Sequence, residues 1–128
     1  MANSIERHYG AKGLHAHSVH PGAIFETEVL RHATEEDIAQ MGGIGSLEKV
    51  AKTVAQGAAT QVWAAVSTHL EGKGGVYLSD VGEAKPSAEI EPVGGPGYGP
   101  HAYDEEAEEK LWELSYEAVG LLDKDRLI

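Results

Sequence analysis

The chain has 128 residues, enough for one domain with a modest core, and its 21 acidic against 10 basic residues give a formal net charge of −11. A surface this acidic repels phosphates, so neither nucleic acid nor an anionic lipid surface is expected as a partner. There is no cysteine, which excludes disulfides, thiolate catalysis and cysteine-based zinc sites and fits a reducing, cytoplasmic setting. No signal-like apolar run follows Met1, and no stretch approaches the ~18 apolar residues of a membrane span.

Residues 1–9 read as the tail of a helix, with Ala2, Ile5 and Tyr9 on one face and Gly10 as its C-cap. A free helix of two turns is marginal in water, because nucleation costs more than so few hydrogen bonds return. Its place at the very start leads to the expectation that something upstream is absent. Gly13 then opens a strand over 14–19, in which Leu14, Ala16 and Ser18 alternate with His15, His17 and Val19. Pro21 has no N–H and stops ladder pairing, so the strand ends in the turn Pro21-Gly22. Ligands of open α/β sheets bind outside the carboxyl ends of the strands, which makes this turn a candidate ligand-facing loop.

Residues 24–31 fit neither helix nor strand clearly. Thr34 reads as the N-cap of a short helix over 35–41, with Asp37 in its first turn. Gly42-Gly43-Ile44-Gly45 breaks that helix, and Ser46 suits the cap of another over 47–52. Thr53 and Gln56 form a capping-box pattern that opens the best helix of the chain, ending at Leu70 before Gly72. Ala55, Ala58, Ala59, Val62, Trp63 and Val66 recur along it at helical spacing and predict an apolar face. A buried strand is expected over 74–78. Residues 79–103 form a long irregular Gly/Pro-rich segment, and loops of that length are usually functional or mobile. Asp104 caps a last helix over 104–120, whose early glutamates complement the helix dipole. Its expected apolar stripe is Leu111, Leu114, Ala118 and Leu121 or Leu122. There is no internal repeat and no domain boundary, so residues 1–128 are a single unit.

Several groups bear on chemistry. His15, His17 and His20 have the spacing of the zinc signature of metallo-β-lactamase-like hydrolases, with Val19 where a second-metal Asp belongs. The competing view makes them ordinary strand residues, and it is preferred because short motifs over-match. Gly42-Gly43-Ile44-Gly45 lacks the spacing of a phosphate turn and follows a helix rather than a strand. Tyr9 and Lys12 stand three apart with Gly10 between them, which reads as a core tyrosine and a solvated lysine. The glutamates at 105–109 read as a solvated helix face, and Trp63 and Trp112 as core residues.

Together these residues resemble one family. His20-Pro21-Gly22-Ala23-Ile24 is similar to the Pro-Gly-x-Ile/Val segment of the short-chain dehydrogenases/reductases, after the sixth strand of their sheet. Gln56-Gly57-Ala58-Ala59-Thr60-Gln61-Val62-Trp63 resembles the helix that follows their substrate loop. Gly72-Lys73-Gly74-Gly75-Val76-Tyr77-Leu78 resembles their last strand. His101-Ala102-Tyr103-Asp104 with Leu111-Trp112-Glu113-Leu114-Ser115 looks like the tail of the retinol-dehydrogenase-like and WW-domain oxidoreductase-like branch. Nearly the whole chain is covered, but only by the C-terminal part of the family's fold. The family's glycine-rich nucleotide turn, its Asn-Ala-Gly segment, its catalytic Ser and its Tyr-x-x-x-Lys are not in this sequence. By that alignment the Tyr and Lys would lie just upstream of Met1.

The resemblance implies an α/β fold: the C-terminal portion of a Rossmann-like, doubly wound parallel sheet, truncated to two recognisable strands and about four helices. It implies an oxidoreductase that moves a hydride between NADP or NAD and the carbonyl or alcohol of a small organic or lipid-like substrate. Pro21, Gly22 and Thr27 are the implied cofactor contacts, together with Ile24, whose backbone would bond the nicotinamide carboxamide. Thr27 falls one residue late and behind Glu26. Residues 25–52 would be the substrate-covering segment. No catalytic residue and no metal ligand carries over, so the chain by itself is expected to be inactive and to hold NADP weakly. A second hypothesis is a non-catalytic remnant or interaction module. Half a parallel sheet exposes a strand edge, which favours self-association. The third is a zinc hydrolase through the three histidines.

Overall fold

Pairing between two distant segments holds the sheet together. In the computed structural model, which describes residues 1–87 and 97–121, β1 (Ser18–His20) lies parallel to β2 (Tyr77–Ser79), with Val19 opposite Leu78. Parallel strands need a long crossover, and here it carries most of the helices. Helix α1 (Ala2–Tyr9) precedes β1. The crossover holds α2 (Glu35–Gln40), α3 (Ile44–Lys49) and α4 (Val54–Val66), and α5 (Glu105–Ala118) closes the described chain. A third strand, β3 (Gly82–Glu83), pairs antiparallel with β2, so the order is β1-β2-β3 and the sheet is mixed. The class is α/β, as expected. None of the described helices is long and apolar enough to cross a membrane.

The strands are shorter than the sequence pattern predicts. Residues 14–17 precede β1 rather than forming it, although Gly75 still donates to the Ala16 carbonyl at 2.7 Å. Among the described residues β1 has a neighbour on one side only, so few of its backbone groups are held in a ladder. The irregular segment expected from residue 79 onward instead begins with a hairpin. Its two central residues, Asp80 (φ +53°) and Val81 (φ +60°), both lie in the left-handed region, as a type I′ turn requires. The signal was missed because such turns normally carry Asn-Gly or Asp-Gly, not a β-branched residue. Residues 88–96 of that segment, and Leu122 of the expected α5 stripe, lie outside the described residues.

Local capping follows the sequence closely. Thr34 and Asp37 form a capping box on α2, and Thr53 and Gln56 form one on α4. The Asp104 carboxylate accepts the Ala107 N–H at 3.0 Å. Two caps differ. Gly10 is right-handed and leads into a 3-10 turn, and the left-handed closure falls on Gly13. Helix α3 starts at Ile44 behind Gly43, so Ser46 lies inside it rather than capping it. Helix α4 ends at Val66; a separate 3-10 turn, capped by Ser67, carries the chain to Leu70.

Which helix faces are buried departs most from expectation. On α4 the buried residues are Gly57 and Thr60, while Val62 and Val66 of the expected apolar face are 59% and 73% exposed. On α5 the buried residues are Glu108 and Trp112, and Leu111 and Leu114 face outward. Glu108 is thus not part of a solvated face. Its carboxylate accepts Arg7 at 2.5 Å and Asn3 at 2.6 Å, and its carbonyl accepts the Ser4 hydroxyl at 3.3 Å. A buried carboxylate is tolerated only with such partners. Trp112 stacks on His8 at 4.9 Å and lies 5.2 Å from Tyr116. Docking on α1 therefore sets the rotation of α5.

Two measurements check this local structure. A β-branched residue in the left-handed region is strained by ~1–2 kcal/mol, partly offset by the extra unfolded-state freedom of glycine. Val81→Gly is therefore expected to raise stability in urea titration by about 0.5–1 kcal/mol, and a loss of stability would show that the turn is unstrained. The Thr34 N–H and then its hydroxyl hold the Asp37 carboxyl below its ordinary 3.8. A depressed folded-state pKa stabilises above the unfolded value and is lost as pH falls through the folded one. Helix α2 should fray only below pH 3.8, and Thr34→Ala should move the Asp37 carboxyl titration, followed by NMR, upward toward 3.8.

Candidate functional site

The site is built where β1 runs out. Pro21 ends the ladder, and Gly22 follows at φ +85°. The backbone angle favours glycine, and the flexible stem of Lys52 lies across the open face, its Cδ 2.5 Å from where a Cβ would stand. The next residue, Ala23, bridges Ala51 in parallel fashion, and the Lys52 N–H donates to the Ala23 carbonyl at 2.8 Å. The far end of the 25–52 segment is thereby tied back to the turn. The Lys52 ammonium continues outward to an ion pair with Asp80 in the β2–β3 hairpin turn. Because Asp80 is exposed, that pair adds little stability and acts mainly as a tether.

Helix α4 braces the turn from the other side. A Cβ on Gly57 would lie 3.0 Å from Ile24 Cγ1 and 3.2 Å from the Pro21 carbonyl oxygen. The missing side chain is what lets the helix and the turn approach. One turn further along, the buried Thr60 hydroxyl accepts the Val81 N–H at 3.2 Å. The same helix face thus fixes both the Pro-Gly turn and the hairpin turn.

Between the turn and the crossover lies a cavity of about 170 Å³. His20 and residues 22–25 form one wall, facing Val29 and Leu30 from a 3-10 turn, Met41 behind α2 and Leu47 from α3. Leu47 is buried and anchors α3 against this space. Among the described residues, His20 supplies the only side-chain nitrogen or oxygen in the lining. Its ring lies 6.4 Å from that of Tyr77, which begins an aromatic row through Tyr98 to Tyr103. Burial pushes the Tyr77 hydroxyl above its ordinary 10.0.

Of the residues singled out from sequence, Gly22 and Ile24 line the cavity. Pro21 abuts α4 instead, and Thr27 lies outside the lining, its hydroxyl donating to the Ile24 carbonyl at 2.9 Å. Among the described residues the Ile24 N–H donates to no backbone carbonyl. The three histidines diverge. His15 bonds Glu6 at 3.0 Å, the buried His17 Nδ1 has no partner among the described residues, and His20 lines the cavity. Among the described residues no three His, Cys, Asp or Glu side chains are grouped to hold a metal ion. Tyr9 is buried with its hydroxyl 3.1 Å from that of Tyr116, and Lys12 sits over its ring. Gly43 opens α3 and cradles nothing.

Sequence reading missed Gly57 and Lys52. A signal for Gly57 existed: glycine inside an otherwise strong helix costs ~1 kcal/mol against alanine and asks for a packing reason. Nothing in the local pattern marks Lys52, whose partners are 28 and more residues away in the chain.

No family model and no solved structure matches the chain. It is 47% identical over 124 residues to the short-chain dehydrogenase/reductase prx1 of Penicillium roqueforti, covering 94% of this chain and 35% of that protein. It is 41% identical over 125 residues to oxidoreductase calI of Penicillium decumbens, covering 94% and 36%. It is 30% identical over 120 residues to the WW domain-containing oxidoreductase of Danio rerio, covering 93% and 25%. An α/β unit with a parallel strand pair and a Pro-Gly turn at the strand end is thus matched by oxidoreductases. The chain belongs to the short-chain dehydrogenase/reductase family, and the motifs it shares are those of the family's C-terminal part. It spans about a third of the length of the curated relatives just named from Penicillium.

The bracing by Gly57 has a measurable consequence. Alanine there gains helix propensity but intrudes on Ile24, so Gly57→Ala should lower stability by ~1–3 kcal/mol, the cost of overpacking. The amide shifts that change most in its NMR spectrum should be those of residues 21–25. A variant as stable as the parent, with those shifts unmoved, would refute the close approach.

Proposed function

We propose that this chain is the substrate-facing and nicotinamide-facing part of an NAD(P)-dependent oxidoreductase acting on a carbonyl or alcohol. One observation carries the reading. A single cavity is lined both by the Pro-Gly turn that the family resemblance assigns to the cofactor and by the crossover segment it assigns to the substrate. The parallel β1–β2 pair with α4 packed on it supports a Rossmann-like origin for the unit.

The backbone around Ile24 fits the amide end of a nicotinamide. Its N–H is unspent among the described residues and suits the carboxamide oxygen. Its carbonyl already accepts Thr27 from both the N–H, at 3.4 Å, and the hydroxyl, at 2.9 Å, so Thr27 shapes the turn more than it reaches outward. The left-handed, side-chain-free Gly22 leaves the lip of the turn open. When bound, the cofactor supplies the hydride chemistry, and the protein contributes binding, orientation and exclusion of water. The apolar lining here performs the last of these. A general acid of the family's Tyr-x-x-x-Lys type, and a glycine-rich pyrophosphate turn, are not in this sequence. The chain is therefore expected to orient the reacting end of the cofactor without catalysing turnover by itself.

Titration by NMR tests this. Nicotinamide mononucleotide should shift the amides of Gly22, Ile24 and Thr27, whereas adenosine monophosphate should shift none of them. Calorimetry should find no submicromolar NADP or NAD binding. Tight dinucleotide binding, or an adenosine response at the turn equal to that of the nicotinamide, would sink the reading.

A further inference from the structure

The cavity beside the turn is apolar except at one point. Seven of its lining side chains are aliphatic, aromatic or thioether groups (Ala23, Ile24, Phe25, Val29, Leu30, Met41 and Leu47), and Gly22 of the turn completes it. The cavity is a half-open cleft of about 170 Å³, comparable in size to the roughly 150 Å³ that holds benzene. A molecule of about seven or eight heavy atoms therefore fits, and a charged one would be stranded without a counter-ion.

His20 breaks this uniformity. It is half-buried at the last position of β1, held there by the pairing of its residue with Ser79. Among the described residues its ring nitrogens have no hydrogen-bond or ion-pair partner, although other histidines of the chain do: His15 bonds Glu6, His8 pairs with Glu109, and His69 pairs with Glu83. An imidazole offers a donor at one nitrogen and an acceptor at the other when neutral, so it can meet either a hydroxyl or a carbonyl. A ligand oxygen that reaches such a half-buried group gains one hydrogen bond over an analogue that lacks it, a modest preference.

We infer that His20 is a specificity-determining residue, which selects uncharged, apolar ligands bearing one hydroxyl or carbonyl oxygen by hydrogen-bonding that oxygen. Gly22, Ile24 and the crossover side chains enclose the hydrocarbon part, and the histidine fixes its orientation toward the turn. The inference deepens the substrate side of the proposed function and rests on that reading. It concerns binding alone, and so is testable apart from cofactor and turnover.

Benzyl alcohol and toluene form a matched pair of probes, nearly equal in shape and differing by one hydroxyl. Their binding to the whole chain is read from the methyl NMR shifts of Ile24, Val29, Leu30 and Leu47. Benzyl alcohol should bind about five- to tenfold more tightly than toluene, the worth of one satisfied hydrogen bond. In His20→Phe that preference should fall to about one, with toluene affinity kept within about twofold. His20→Gln keeps a donor and an acceptor and should retain most of the preference, which separates hydrogen bonding from general damage to the fold. Equal affinities in the parent chain, a preference that survives His20→Phe, or no shift of the cavity methyls with either probe would each overturn the inference. A negative result here leaves the nicotinamide titration unaffected, whereas failure of that titration with the alcohol preference intact would overturn the cofactor reading instead.

Discussion

The site depends on one close approach, between the backbone of α4 and the Pro-Gly turn. Gly57 has no side chain where Ile24 and the Pro21 carbonyl need room. A turn at the end of a three-residue strand has little ladder pairing to hold it, so it must be held by what packs on it. Helix α4 does this and, through Thr60, also fixes the hairpin turn. Lys52 closes the arrangement by lying along Gly22 and pairing with Asp80. Three segments far apart in sequence are therefore brought to one place by small residues and one long cation.

This arrangement explains why α4 buries Gly57 and Thr60 and exposes its valines. Contact with a turn demands that backbones come near each other, which Gly57 allows, while Thr60 reaches the hairpin through its hydroxyl. Binary patterning assumes that the larger apolar side chains define the inner face. That assumption fails where close approach, rather than apolar area, decides the packing. On α5 a different cause produced the same kind of departure. Burial of Glu108 against Arg7 and Asn3 outweighs the leucine stripe, because a carboxylate once enclosed must keep its partners.

The cavity follows from the same geometry. With the turn braced on one side, the crossover has to return to Ala23 through Ala51 and Lys52, and it encloses space as it does so. The lining surface is apolar because Met41, just after α2, and Leu47 of α3 face it while the charged residues of both helices stay outside. The lining is dominated by apolar side chains, the character that the proposed function asks of it.

Features set by residues three or four apart were legible without a structure. The capping boxes at Thr34 and Thr53, the Asp104 cap and the Pro21 stop are local, since each side chain reaches its partner within one turn. The family resemblance was legible too, because its motifs are contiguous, and the Pro-Gly turn could be placed at a strand end on backbone grounds alone. Tertiary structure decided the rest: the short strands, the buried faces of α4 and α5, the divergence of the three histidines, the Val81 turn and the cavity that His20 lines. Each of these depends on a partner from a distant segment, such as Leu78 for Val19, Arg7 for Glu108 and Ile24 for Gly57. Sequence spacing specifies what a residue can offer locally; only packing specifies what it meets.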